Sequence, residues 1–103
     1  MLRVYNMTSP RSGREVANQF VIINDSKVMF QSYDSPIVEI DHANNVLTVF
    51  KNWNYSMTTS KYRNEFMSEY GFDEMSSKQG FVKGMNEGEA TTRYGIKYKV
   101  VEA

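Results

Sequence analysis

The chain has 103 residues, 41% of them hydrophobic, with twelve acidic and twelve basic side chains and no cysteine. A chain of this length buries only about two-thirds of its unfolded surface, so a single domain over residues 1–103 is expected. The balanced charge argues against binding nucleic acid over the whole surface, and the absence of cysteine excludes disulfide bonds and thiolate metal sites.

The first half of the chain has the pattern of β-strands. Short apolar stretches are separated by loops rich in Asn, Asp, Ser and Gly, which favour turns. These loops are too short for helical crossovers, so neighbouring strands are predicted to pair antiparallel as a meander. The predicted strands are residues 2–7, 18–23, 27–33, 37–40 and 46–50.

The loop that follows the first strand carries Arg11 and Arg14 with Gly13 between them. A glycine that permits positive φ beside two arginines can form a small cationic concavity for an anion. The alternative is a solvated arginine loop without a ligand. Both arginines are candidate binding residues.

The segment around the only tryptophan leads into the best-formed predicted helix. Four apolar side chains recur at helical spacing, which predicts a helix over residues 58–70 with one apolar face. The hydroxyl groups of residues 58–60 are candidates to cap its first turn, and Gly71 is predicted to end it in the left-handed conformation. The apolar positions are Tyr62, Phe66, Met67 and Tyr70.

A second, weaker helix is predicted near residues 77–87. Ser76 and Gln79 have the spacing of a capping box at its start. Gly80 and Gly84 lie on one face, and each costs about 1 kcal/mol relative to alanine in a helix interior. They would allow close approach of another backbone, either from within the chain or from a partner.

The end of the chain is predicted to return to the sheet, because residues 94–100 alternate clearly between apolar and polar. The sequence thus predicts an α+β protein: one small domain with an antiparallel meander of four to six strands packed against two short helices. Homodimerisation through a sheet edge is left open, with residues 37–40 and the last strand as candidate edges.

The loop of residues 51–55 combines the tryptophan with amides, a tyrosine and nearby cations. Exposed aromatic rings can stack on bases, and amides can read a base edge. The alternative is that the tryptophan covers a small core and that polar residues of the strands fasten this loop to the hairpin. The candidate binding residues are Tyr33, Asn52, Trp53, Asn54, Tyr55, Lys61 and Arg63, together with Arg11 and Arg14.

Side chains for catalysis or metal binding are few. His42 is the only histidine, so a nitrogen- or sulfur-rich zinc site cannot be assembled from one chain, and no Asp-rich run matches a calcium loop. Walker loops, dinucleotide-binding glycines and nucleophile elbows are absent. We therefore expect no cofactor and no metal, and we favour a non-enzymatic protein over an enzyme built on His42 and a neighbouring carboxylate.

Three spaced motifs resemble a family of small uncharacterised proteins encoded by tailed bacteriophages. They are Asn18-Gln-Phe20, Phe30-Gln-Ser-Tyr33 with Ser35, and Trp53-x-Tyr55-Ser56-x-Thr58-Thr59-x-Lys61-Tyr62-Arg63-Asn64-x-Phe66. The similarity covers about residues 16–70. It implies a phage gene product that works in the cytoplasm of the infected bacterium, and it brings no activity with it.

Seven methionines and 14% aromatic residues suit either an irregular core, in which methionine fills gaps, or an adaptable binding surface, and the second interpretation fits the absence of catalytic motifs. The sequence therefore predicts a phage-type accessory protein that acts by binding a host or phage protein. The alternative is a nucleic-acid or nucleotide binding protein that uses the same candidate residues. No membrane association is expected, because no stretch approaches the roughly 18 apolar residues that a spanning helix needs.

Overall fold

The computed structural model describes residues 1–103, which form one seven-stranded sheet with two helices. The strands lie in the order β1-β2-β3-β4-β5-β7-β6. They are β1 (Leu2–Thr8), β2 (Glu15–Asn24), β3 (Lys27–Ser32), β4 (Ser35–Asp41), β5 (Val46–Val49), β6 (Glu89–Thr91) and β7 (Lys97–Glu102). Helices α1 (Met57–Glu69) and α2 (Lys78–Glu87) are separated by a single 3-10 turn, Asp73–Met75.

The first five strands form an antiparallel meander. The predicted α+β class is therefore confirmed. The sheet has seven strands instead of four to six, because two strands follow α2 and the sequence pattern indicated only the last. β7 pairs with β5 in parallel, since the chain crosses over through both helices before it returns.

The two predicted sheet edges are wrong. β4 lies between β3 and β5, and β7 lies between β5 and β6, so both are interior strands. The free edges are β1 and β6. The alternation of apolar and polar residues indicates which side chains face the core. It does not indicate the order of the strands across the sheet, because that order depends on pairing between residues far apart in the sequence.

The last strand begins later than predicted. The backbone N–H of Thr92 donates to the carbonyl oxygen of Ile96 at 2.8 Å, which closes a turn before Lys97. Gly95 has a φ of 81° in this turn. Tyr94 and Ile96 are therefore exposed in the loop that joins β6 to β7.

The helices cover one face of the sheet. Pairing places Phe30, Val38 and Val49 side by side on adjacent strands, and all three are buried. The ring of Phe66 in α1 stacks on Phe30 with centroids 5.7 Å apart, and Phe72 meets Tyr98 of β7 edge-on at 4.9 Å. Burial of these aromatic and branched side chains supplies the main stabilisation of the fold.

Helix α1 begins at Met57, one residue before its predicted start, and its cap lies before the residues predicted to cap it. Ser56 has extended backbone angles, and its Oγ accepts a hydrogen bond from the Thr59 N–H at 3.1 Å. Ser56 is therefore the N-cap, and residues 58–60 lie within the helix. Gly71 ends the helix with a φ of 84°, as predicted.

Helix α2 begins near the predicted place, but the predicted capping box of Ser76 and Gln79 does not form. Ser77 is the N-cap, and its Oγ accepts from the Gly80 N–H at 3.1 Å, while the Ser76 hydroxyl donates to the Asp73 carbonyl oxygen at 2.7 Å. The glycine face of α2 meets Glu74 and Met75 at the 3-10 turn, so the close approach is made within the chain.

Candidate functional site

Most of the candidate residues lie at one end of the sheet. Because β1 to β5 alternate in direction, the β1–β2 loop, the β3–β4 turn and the loop after β5 all emerge at the same end. Helix α1 begins there as well, which brings Lys61 and Arg63 to this end. The structure thus groups segments that are as far apart in the chain as Arg11 and Arg63.

Three large apolar side chains at this end are exposed to solvent. Tyr33, Tyr55 and Met57 have 43%, 68% and 91% of their surface accessible, and the rings of Tyr33 and Tyr55 meet edge-on with centroids 6.5 Å apart. Tyr33 has a positive φ of 55° in the two-residue turn between β3 and β4, which turns its ring toward Tyr55. We call this group the Tyr33–Tyr55–Met57 surface.

Trp53 packs on the core. Its indole is half-buried and stacks on Phe81 of α2, with centroids 5.5 Å apart and ring planes 23° apart. One ring face is therefore covered. This geometry fits the alternative in which the tryptophan closes a small core, and it leaves Tyr55 as the more accessible aromatic ring of the loop.

Arg63 is fully buried, although its sequence position suggested a cation available to a ligand. Its Nη1 donates to the Trp53 carbonyl oxygen at 2.8 Å, and Nη2 donates to Asn64 Oδ1 at 2.9 Å. The guanidinium carbon lies 4.6 Å from the centre of the Phe81 ring and 5.5 Å from that of Trp53. Burial lowers the pKa of Arg63 to about 10, so the side chain stays charged at neutral pH.

Polar side chains fasten the tryptophan loop and α1 to the sheet. The hydroxyl groups of Ser32 and Thr59 are hydrogen-bonded at 2.8 Å, and Asn52 Nδ2 donates to Ser35 Oγ at 2.9 Å. The side-chain amide of Asn52 is therefore already hydrogen-bonded within the chain. These contacts support the alternative in which polar residues hold the tryptophan loop against the hairpin.

A surface depression of about 490 Å³ lies beside the start of α1. Asn54 and Lys61 were candidates from the sequence. Lys78 was missed because it comes from α2, and nothing in the sequence indicates that α2 returns to the start of α1. The lining residues are Asn54, Ser56, Met57, Ser60, Lys61 and Lys78.

Arg11 and Arg14 are exposed in the β1–β2 loop. The loop is closed by its own backbone, with the Ser9 N–H donating to the Arg14 carbonyl oxygen at 2.8 Å, and Gly13 has a φ of 72°. No hydrogen bond, ion pair or aromatic contact joins either arginine side chain to the tryptophan loop. These two residues therefore form a separate feature at the same end of the sheet.

His42 lies at the opposite end of the sheet and is exposed. Its Nδ1 is hydrogen-bonded to the Tyr98 hydroxyl at 2.9 Å. The neighbouring carboxylate of Asp41 accepts hydrogen bonds from Asn44 and Ala43, which lower its pKa. No carboxylate is hydrogen-bonded to the imidazole, and no three acidic or histidine side chains lie together in a way that would hold a metal ion.

Tyr70, whose ring lies beside His42, is expected to make the protein less stable at alkaline pH. Burial and the Tyr5 hydroxyl raise the pKa of Tyr70 above the ordinary value of 10. The folded protein therefore holds this proton more tightly than the unfolded chain, and the stabilisation is complete below pH 10 and lost as the pH rises above it. When the pH rises from about 9 to about 11, the free energy of unfolding should fall by about 1 kcal/mol less in Tyr70→Phe than in wild type, because phenylalanine has no proton to lose.

Urea unfolding at the two pH values measures this difference. Tyr94→Phe is the matched control, because Tyr94 is 75% exposed and should lose as much stability as wild type. An equal loss in Tyr70→Phe and wild type would contradict the proposed cause.

The fold and the site together define a class: a small α+β protein with an open sheet, one helical layer and exposed apolar side chains at one end of the sheet. Residues 4–83 match a family described as "Family of unknown function (DUF8033)". Since the match covers more than half of the chain, the protein belongs to this family. No curated protein and no solved structure is significantly similar to the chain. Neither helix has the length and apolar character needed to cross a membrane.

Proposed function

We propose that this chain is a non-enzymatic, phage-type accessory protein that binds a host or phage protein through the Tyr33–Tyr55–Met57 surface. The observation that carries the proposal is the exposure of these three side chains at one end of the sheet, where the rings of Tyr33 and Tyr55 meet edge-on. Aromatic rings and methionine are enriched at the centres of protein interfaces, where they pack against apolar side chains of a partner. The phage setting rests on the motif resemblance alone.

The alternative, a nucleic-acid binding protein, has less support from the geometry. Single-stranded nucleic acid needs open ring faces for its bases and cations along its phosphates. Phe81 covers one face of Trp53, and Arg63 is enclosed within the protein. A protein partner needs neither of these groups and uses the apolar area that remains.

Affinity capture from a lysate of infected bacteria tests the proposal. The immobilised wild-type chain should retain one protein in stoichiometric amount. The double variant Tyr55→Ala/Met57→Ala should retain at least tenfold less, because truncating exposed aromatic and methionine anchors commonly costs about 1–2 kcal/mol each. Both substitutions are at exposed positions, so the fold should persist, which circular dichroism checks.

Tyr94→Ala is the matched control, because it removes an equally exposed aromatic side chain at the opposite end of the sheet. It should retain the partner as wild type does. Equal retention by the double variant would overturn the proposal. Retention that disappears after nuclease treatment would favour the nucleic-acid alternative.

A further inference from the structure

The depression beside the Tyr33–Tyr55–Met57 surface has basic side chains and no acidic one. Lys61 and Lys78 line it, one from each helix. Neither lysine forms an ion pair, since the ion pairs of the structure join Met1 to Asp25, Arg93 to Asp73 and Lys97 to Glu89. The positive charge of this depression is therefore not neutralised by the chain itself.

A third positive charge lies directly behind the wall of the depression. Ser60 lines the wall, and its Oγ is 3.5 Å from Nη1 of the buried Arg63. No carboxylate contacts this guanidinium, and its Nε has no hydrogen-bond partner. Because a buried charge is less screened by water and salt than an exposed one, Arg63 adds to the positive potential in the depression.

The polar groups of the lining also suit an anionic ligand. Asn54 accepts a hydrogen bond from Ser60 at 3.2 Å with its Oδ1, and its Nδ2 makes no hydrogen bond within the chain. The lining therefore offers free N–H donors on Asn54, Lys61 and Lys78. Carboxylate oxygens accept only, and they match such a set of donors.

The charged depression and the apolar surface meet at Met57, which belongs to both. A ligand that satisfies both parts must carry acidic and apolar groups a few residues apart. An acidic peptide segment with interspersed aromatic or aliphatic side chains has this chemistry. A nucleic acid would offer phosphates to the lysines but no aliphatic or aromatic side chain to cover the 91% exposed Met57.

We infer that the partner docks through an acidic segment whose carboxylates lie in the Lys61–Lys78 depression while its apolar side chains pack on Tyr55 and Met57. This inference rests on the proposed function, because it specifies the chemistry of the partner for that same surface. It adds Lys78 and Asn54 to the residues that contact the partner. Docking through the apolar side chains alone would not require these two residues.

Fluorescence anisotropy with short labelled peptides tests the inference. One peptide alternates glutamate with leucine and phenylalanine, and its twin carries glutamine in place of each glutamate. Wild type should bind the acidic peptide at least about tenfold more tightly than the neutral twin, and added salt should weaken the binding. Lys61→Gln/Lys78→Gln should bind the acidic peptide about tenfold more weakly than wild type.

The matched control is Lys83→Gln/Lys99→Gln, which removes the same number of charges at exposed positions outside the depression. It should bind like wild type. The inference is overturned if wild type does not prefer the acidic peptide, if the Lys61/Lys78 double variant binds it as tightly as wild type, or if both double variants lose affinity equally. Tighter binding of a labelled single-stranded oligonucleotide, lost in the Lys61/Lys78 double variant, would also overturn it in favour of a phosphate ligand.

Failure of the inference is distinguishable from failure of the proposed function. If a captured protein depends on Tyr55 and Met57 but not on Lys61 and Lys78, the apolar surface is the docking site and the acidic chemistry is wrong. If capture depends on neither pair, the proposed function itself fails.

Discussion

Replacing Arg63 with alanine should lower the free energy of unfolding by about 3–4 kcal/mol. The substitution empties a fully buried volume beside the stacked rings of Trp53 and Phe81 and leaves the Trp53 carbonyl oxygen without its donor. Arg63→Met should cost about half as much, because methionine fills most of the volume and removes a desolvated charge that no carboxylate compensates. The two variants thus separate the packing contribution from the charge contribution.

Urea unfolding followed by circular dichroism measures both variants. Trp53 fluorescence gives a second signal, since it is the only tryptophan and stacks on Phe81. Lys61→Ala is the control two residues away, because Lys61 is exposed and should change stability by no more than about 0.5 kcal/mol. A cost below about 1 kcal/mol for Arg63→Ala would show that the guanidinium does not hold the loop to the helices.

Arg63 also illustrates why the candidate site could be predicted only in part. It lies on the buried face of α1, four residues after Thr59 and three before Phe66, which are both fully buried. The spacing was visible, but an arginine at such a position is normally read as solvent-exposed. Its burial depends on the rings of Trp53 and Phe81, and Phe81 comes from a helix whose position no local pattern reports.

The sequence was more informative about the exposed residues of the site than about the buried Arg63. Tyr55 and Lys61 follow the tryptophan in one short segment, so their proximity is a local property. Lys78 and Met57 required the structure, because the depression forms only where the starts of α1 and α2 come together. Sequence patterns therefore indicated residues that are close within one segment, and they missed Lys78, whose helix reaches the site only in the folded chain.

The predictions of the fold show the same difference between local and long-range features. The meander from β1 to β5 follows from alternating residues and short loops, each of which is local. β6 was missed because Glu89–Thr91 buries only Ala90, which is too little to produce a pattern. The parallel pairing of β5 with β7 was also missed, since it joins residues about 50 positions apart after two helices.

Substituting Gly80 by alanine should destabilise the protein by about 3 kcal/mol or more, although alanine favours helix by about 1 kcal/mol over glycine. A Cβ at this position would lie 1.7 Å from the Glu74 carbonyl oxygen and 2.9 Å from its carbonyl carbon. These are backbone atoms of the segment that joins the helices, so the overlap can be relieved only if the 3-10 turn and α2 move apart. The steric cost therefore exceeds the gain in helix propensity.

Gly84→Ala is the informative comparison on the same helix face. Its Cβ would meet the side chain of Met75, at 2.7 Å from the sulfur and 2.8 Å from Cε. A methionine side chain can change rotamer, so Gly84→Ala should cost about 1 kcal/mol, roughly a third of the cost of Gly80→Ala. Lys83→Ala, at an exposed position between them, should change stability by no more than about 0.5 kcal/mol. If urea unfolding ranked Gly84→Ala as the more damaging variant, the contact between Gly80 and the Glu74 backbone would not be what holds α2 against the 3-10 turn.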